Sequence, residues 1–192
     1  MSIQSAAELM TADEFLAIPD DGIDRELVRG VVVERGRTEM TRRNRRHAAA
    51  EAAVARILGN WVHESSPVRG RVLSGEVGCI LRGEPDNVVG IDVVFITAEH
   101  AAQQTDETTM IDGPPLLAVE ILSPSDKQED IGRKIDDYLR HGVQLVWIID
   151  THFQTVTVHQ PECPPELFNS SQVLESPDRL PGLQIQVAQL FS

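Results

Sequence analysis

The chain has 192 residues, 41% hydrophobic and 24% charged, which suits one ordinary domain with a real core. No apolar run approaches the roughly 20 residues a bilayer span requires, and MSIQSAAELMTADEF lacks the basic-then-apolar order of a secretory signal, so a cytoplasmic protein without membrane role is expected. A net charge of -13 argues against binding of nucleic acid by bulk attraction, although the distribution of charge matters more than its sum.

The two cysteines, Cys79 and Cys163, stand alone and form neither a zinc spacing nor a disulfide framework. No internal repeat or linker interrupts the chain, so one domain over residues 1–192 is expected. Residues 1–22 hold a short amphipathic stretch (Leu9, Phe15, Leu16) that ends in the turn Pro19-Asp20-Asp21-Gly22. Glu26 to Val33 reads as β, with Arg29-Gly30 as a hairpin turn.

Arg35, Arg37, Arg42, Arg43, Arg45 and Arg46 follow within twelve residues, opposed only by Glu39. Such a patch is either a solvated loop or an arm that contacts phosphates, through Arg42, Arg43, Arg45 and Arg46.

Residues 44–64 predict a helix, because His47, Ala50, Val54, Ile57, Leu58 and Trp61 recur at spacings of three and four. Arg71 to Leu81 and Val88 to Thr97 are β-like, and Leu116 to Leu122 suits a buried central strand. Ser125 fits an N-cap with Gln128 reaching back, opening a helix that runs to about Arg140. Val143 to Ile149 and Thr155 to His159 predict two further strands. Residues 160–181, rich in proline and polar residues, read as loop before Leu183 to Phe191 closes the domain. This order implies an α/β protein with a mixed central sheet flanked by helices.

Two carboxylates stand out. Asp92 lies inside Val88-Val89-Gly90-Ile91-Asp92-Val93-Val94-Phe95, and Glu120 inside Leu117-Ala118-Val119-Glu120-Ile121-Leu122. A charge in such a run is unfavourable unless something pairs with it. One alone reads most simply as an edge residue or the partner of an arginine. Two, on neighbouring strands, point to a shared divalent cation such as Mg²⁺ (or Mn²⁺), which takes hard oxygen ligands. Lys134 lies beside the apolar stripe Ile131, Ile135, Tyr138 and Leu139, where its ammonium can reach the strand ends. The blander reading is a border lysine shielding Tyr138. Lys127 is a reserve candidate, provided the helix begins early enough.

Asp92-Val93-Val94-Phe95, Val119-Glu120-Ile121-Leu122-Ser123-Pro124-Ser125, Lys134 to Tyr138, Gly142-Val143 and Trp147-Ile148-Ile149-Asp150, with Glu26 to Gly30 and His47, together resemble the Uma2 family of the PD-(D/E)XK superfamily. The resemblance covers about residues 11–160. It implies a restriction-endonuclease-like core in which Asp92 and Glu120 are the acidic pair and the lysine comes from the following helix, as Lys134. Leu122 holds the position where that lysine usually stands. Ile91 replaces the usual proline, and Val31 and Gln144 replace usual glutamates.

The resemblance implies an Mg²⁺-dependent endonuclease hydrolysing phosphodiester bonds of DNA. Catalysis would fall to Asp92, Glu120 and Lys134, with the metal on Asp92 and Glu120. A homodimer is expected, because cutting both strands needs two symmetric sites. Glu26 and His47 are further candidates: Glu26 for a second metal or for holding Lys134, His47 for a phosphate contact or proton transfer. His47 reads equally as a buried helix histidine, and Glu76 as solvent-exposed. The alternatives are a catalytically silent nuclease-fold protein that binds nucleic acid or a protein partner, and an unrelated metal-binding structural protein.

Overall fold

The computed structural model describes residues 9–34, 44–64, 69–105, 109–124 and 126–192. Helix α1 (Ala12–Leu16) opens on a capping box between Thr11 and Glu14, and packs Ala12 and Phe15 against Leu27, Ile80 and Val88. Strands β1 (Arg25–Val28) and β2 (Val31–Glu34) form the expected hairpin. Its two turn residues, Arg29 and Gly30, both have positive φ (51° and 72°), as a tight two-residue turn demands. Strand β2 is one edge of the main sheet.

Helix α2 (Arg45–His63) is capped by Asn44, whose Oδ1 accepts from the Arg46 and His47 amides at 3.0 Å. Its apolar stripe is the one the sequence spells, with Ala50, Val54, Leu58, Trp61 and Val62 buried. Strands β3 (Gly70–Leu81) and β4 (Asn87–Thr97) pair antiparallel along nearly their whole length. A bulge lies between Ser74 and Val77, where Gly75 and Glu76 take positive φ.

Two small elements were not anticipated: α3 (Ala98–Gln103), and β5 (Ile111–Asp112), which pairs parallel with β3. Strand β6 (Leu117–Ile121) then pairs with β4 and runs parallel to β7 (Leu145–Asp150) across the crossover helix α4 (Gln128–Arg140). The expected Ser125 cap lies outside the described residues. The N-cap of α4 is Lys127, and it makes no side-chain cap bond. Strand β8 (Thr155–His159) follows β7 antiparallel.

The expectation of loop over residues 160–181 is corrected. Strand β9 (Glu166–Asn169) extends the sheet beyond β8, and β10 (Val173–Glu175) pairs with β11 (Gln184–Gln186). These strands are three or four residues long and bury one residue each at Phe168, Leu174 and Ile185, so their alternation is too brief to stand out between prolines. A final 3₁₀ turn (Val187–Leu190) completes the segment expected to close the fold.

The main sheet is mixed, with β2-β1-β4-β6-β7-β8-β9 in order and β3 and β5 beside β4. One face carries α2 and the C-terminal strand pair over Val93, Phe95, Val119 and Trp147. The other carries α4 over Val94, Ala118, Val146 and Ile148. The expected α/β architecture, helices flanking a mixed sheet, is the one observed. Among the described residues no helix is long and apolar enough to cross a membrane.

The feature that matters for function lies on one edge of β4. Strand β1 pairs there only at Val88, and β6 takes over at Val93. Between them the sheet forks, and among the described residues no strand pairs with Gly90 or Asp92 on that side.

Candidate active site

Carboxylates fill the fork. The Gly90 amide donates to Glu26 Oε1 at 3.0 Å, reaching across from β1. The Ile121 amide, at the end of β6, donates to Asp92 Oδ2 at 2.7 Å. Both acids thus accept from backbone donors that the divergence of the strands would otherwise leave unsatisfied. Asp92 is nearly sealed from solvent, at 4% exposure.

Two sets of side chains converge on this point from opposite faces. From the α4 face, Lys134 Nζ lies 3.1 Å from both oxygens of Glu120, and the Tyr138 hydroxyl donates to Glu120 Oε1 at 2.5 Å. Lys134 and Tyr138 are one helical turn apart, which places both over the one Glu120 side chain. Burial raises the Glu120 carboxyl above its ordinary range; the Lys134 charge opposes this, the Asp92 charge adds to it, and the Tyr138 and Lys134 hydrogen bonds oppose it. Asp92 accepts from the amide of Ile121, the residue next to Glu120, so the two acids lie side by side at the end of β6. Glu120's field also reaches Cys79, whose thiol burial and that charge push up to about 12.

From the α2 face, His47 and Glu51 reach the other side of Asp92. His47 Nε2 lies 3.2 Å from Asp92 Oδ2, and His47 Nδ1 lies 3.8 Å from Glu51 Oε2. One ligand atom from each of His47, Glu51 and Asp92 fits within a mutual span of 4.8 Å.

The residues singled out from sequence fall as follows. Asp92, Glu120, Lys134 and His47 come together. Glu26 joins them at the fork through Gly90, and Glu76 stands exposed at the bulge with its carboxylate beside Gly90. Arg45 and Arg46 line a cleft of about 610 Å³, together with Leu122, Ser123 and Asp150 at the carboxyl ends of β6 and β7. Arg42 and Arg43 lie outside the described residues. The condition on Lys127 is not met: it is an exposed N-cap, ahead of the helix rather than on its stripe.

Sequence reasoning missed Glu51 and the polar role of Tyr138. Glu51 was accessible through its spacing of four from His47. The α4 periodicity marks Tyr138 as core, and its ring is buried at 1% exposure.

This mixed sheet, flanked by helices and forked around Glu26, Asp92 and Glu120, has a nuclease fold. The structure is similar to the crystal structure of "a putative nuclease belonging to DUF820" from Anabaena variabilis ATCC 29413, with a TM-score of 0.76, 24% identity, and coverage of 95% of this chain and 97% of that one. The chain belongs to the Uma2 family, described as "Putative restriction endonuclease", which it matches over residues 12–188. No curated protein matches it.

Proposed function

We propose that the protein is a metal-dependent endonuclease that hydrolyses phosphodiester bonds of DNA, with Asp92, Glu120 and Lys134 as its active-site core. The observation that carries this reading is the convergence of Asp92, Glu120 and the Lys134 ammonium at the fork of the sheet. Asp92 is buried and the Glu120 side chain is 13% exposed, and two adjacent carboxylates so placed suit a divalent cation, so Asp92 and Glu120 would hold Mg²⁺ or Mn²⁺. When bound, such an ion polarises the scissile phosphate and acidifies a water.

The chain's own groups supply the rest. Lys134, fixed by Glu120, is placed to orient an attacking water and to offset the negative charge that builds up on the phosphorus oxygens. Arg45 and Arg46 line the cleft beside the fork, where they can pair with flanking phosphates. A homodimer would present two such sites to the two strands.

The test is cleavage of supercoiled and single-stranded DNA with Mg²⁺ or Mn²⁺. Asp92→Asn keeps an oxygen acceptor for the Ile121 amide but loses the charge. It and Lys134→Ala should each lower the rate about a hundredfold or more while remaining folded. Cutting by Asp92→Asn at the wild-type rate refutes the assignment. Arg45→Ala and Arg46→Ala should weaken DNA binding, each flattening the plot of log affinity against log salt by about one. An unchanged slope removes these arginines from the interface.

The net charge of -13 favours a second reading, in which the same fold binds nucleic acid or a protein partner without cutting. It predicts salt-dependent binding and no cleavage with any divalent ion.

A further inference from the structure

The α2 side of Asp92 carries a feature that the nuclease core does not use. His47 is 1% exposed, and among the described residues neither of its ring nitrogens finds a hydrogen-bond partner. Among the described residues the only other buried side-chain polar atom in that condition is Trp147 Nε1. An imidazole desolvated in this way is unfavourable by about 1–3 kcal/mol for each unsatisfied group. Yet its nitrogens face two carboxylates, at 3.2 Å and 3.8 Å. Asn44 fixes the backbone of the first turn of α2, and the spacing of four puts Glu51 on the face that His47 occupies.

We propose that His47, Glu51 and Asp92 form a cation site of their own on the α2 side of Asp92, one that takes a divalent transition ion (Mn²⁺, Co²⁺ or Zn²⁺) in preference to Mg²⁺. Metal–ligand bonds of about 2.0–2.2 Å put ligand atoms roughly 3–4.5 Å apart, which the 4.8 Å span of these three accommodates. A ring nitrogen beside two carboxylate oxygens is a donor set that first-row transition ions bind far better than Mg²⁺, which prefers oxygen alone. A ring nitrogen that makes no hydrogen bond then has its partner in the ion. Asp92 is shared with the proposed nuclease core, so the site extends that reading with a second ion from the opposite face.

The experiment is titration of the whole chain, without nucleic acid, with Co²⁺ followed by its visible absorption and with Mn²⁺ followed by electron paramagnetic resonance. The expected result is binding of Co²⁺ that excess Mg²⁺ does not displace, with nitrogen modulation on the Mn²⁺ signal. His47→Asn should abolish the nitrogen modulation. Glu51→Gln, a change at a partly exposed side chain, should weaken Co²⁺ binding by about a hundredfold. Glu99→Gln, at an exposed residue of α3, should leave it within a few-fold of wild type. Mn²⁺ bound to wild type without nitrogen modulation, Co²⁺ displaced by Mg²⁺, or Co²⁺ binding undiminished in Glu51→Gln would each overturn the site. Cleavage assays separate this from the nuclease reading: Co²⁺ binding without DNA cutting keeps the site and removes the nuclease, and Mg²⁺-driven cutting undiminished in Glu51→Gln that binds no less Co²⁺ keeps the nuclease and removes the site.

Discussion

Tyr138→Phe isolates one interaction at the centre of the site. The substitution keeps the ring that fills the α4 face and deletes only the hydroxyl that donates to Glu120 Oε1. A hydrogen bond to a charged acceptor contributes about 1.5–3 kcal/mol net, so a loss of about 2 kcal/mol is expected at a pH above the raised folded value of Glu120, where the acceptor is ionised. For a chain of this size that lowers Tm by about 4–8 °C. The loss should depend on pH, and its sign follows from Glu120. Burial raises the folded carboxyl above its ordinary 4.5, and the Tyr138 bond holds it back. The native state therefore binds this proton more tightly than the unfolded chain. Stability from this group is greatest below 4.5 and falls as pH rises through the window up to the folded value. Removing the hydroxyl pushes that value higher and widens the window, so the gap between variant and wild type should be smallest in acid and grow towards neutrality. Urea denaturation followed by Trp61 and Trp147, both buried, reads this directly at a series of pH values. A gap that stays constant with pH, or no gap at all, would refute the placement of the hydroxyl on an ionised Glu120.

Two further predictions concern the scaffold. A Cβ at Gly70 would lie 2.0 Å from the Ile96 carbonyl oxygen in the β3–β4 ladder, so Gly70→Ala should destabilise by about 4 kcal/mol or more, while a Cβ at Gly59 in α2 meets nothing within 4 Å and Gly59→Ala should stabilise by about 0.5–1 kcal/mol; comparable denaturation midpoints for the two would contradict the strand register. The Arg29 guanidinium pairs with buried Asp137 at 2.8 Å, but its side chain is 40% exposed and Arg140 stands 3.8 Å away as a substitute. Arg29→Ala should therefore cost about 1–2 kcal/mol rather than the full penalty of a broken buried pair, and a double-mutant cycle with Asp137→Asn should show coupling of about 1 kcal/mol. Zero coupling would mean the hairpin turn and α4 are not joined through this pair.

Local periodicity carried far in this chain. The α2 stripe, the β1–β2 turn at Arg29-Gly30 and strands β3, β4, β6, β7 and β8 were legible because each repeats an apolar pattern for several periods or uses turn chemistry with few alternatives. Strands β9 to β11 were hidden because each buries a single residue. Lys134 could be placed near Glu120 because the α4 stripe fixes its side of the helix, and a crossover helix packs over the strand it leaves. The partnership of His47 with Asp92 could not be read in the same way. It depends on α2 crossing the sheet so that its first turn meets the middle of β4, and nothing local to either segment encodes that crossing.

The two anomalies, carboxylates in apolar strands and a sheet edge shared by two strands, have one physical origin. Where β1 leaves β4 and β6 has not yet joined it, backbone amides lose their ladder partners in a buried place. A carboxylate can satisfy such an amide and still present its second oxygen and its charge to the gap. Glu26 does so for Gly90 and Asp92 for Ile121. The fork therefore needs acids for its own stability, and the same acids concentrate negative charge where a cation and a phosphate can meet it. Asp92 consequently has a structural share as well as a chemical one, which is why Asp92→Asn, and not truncation, separates the two. If Asp92→Asn folds as well as wild type, the amide contact is the structural part, and whatever metal binding or cleavage is lost belongs to the charge.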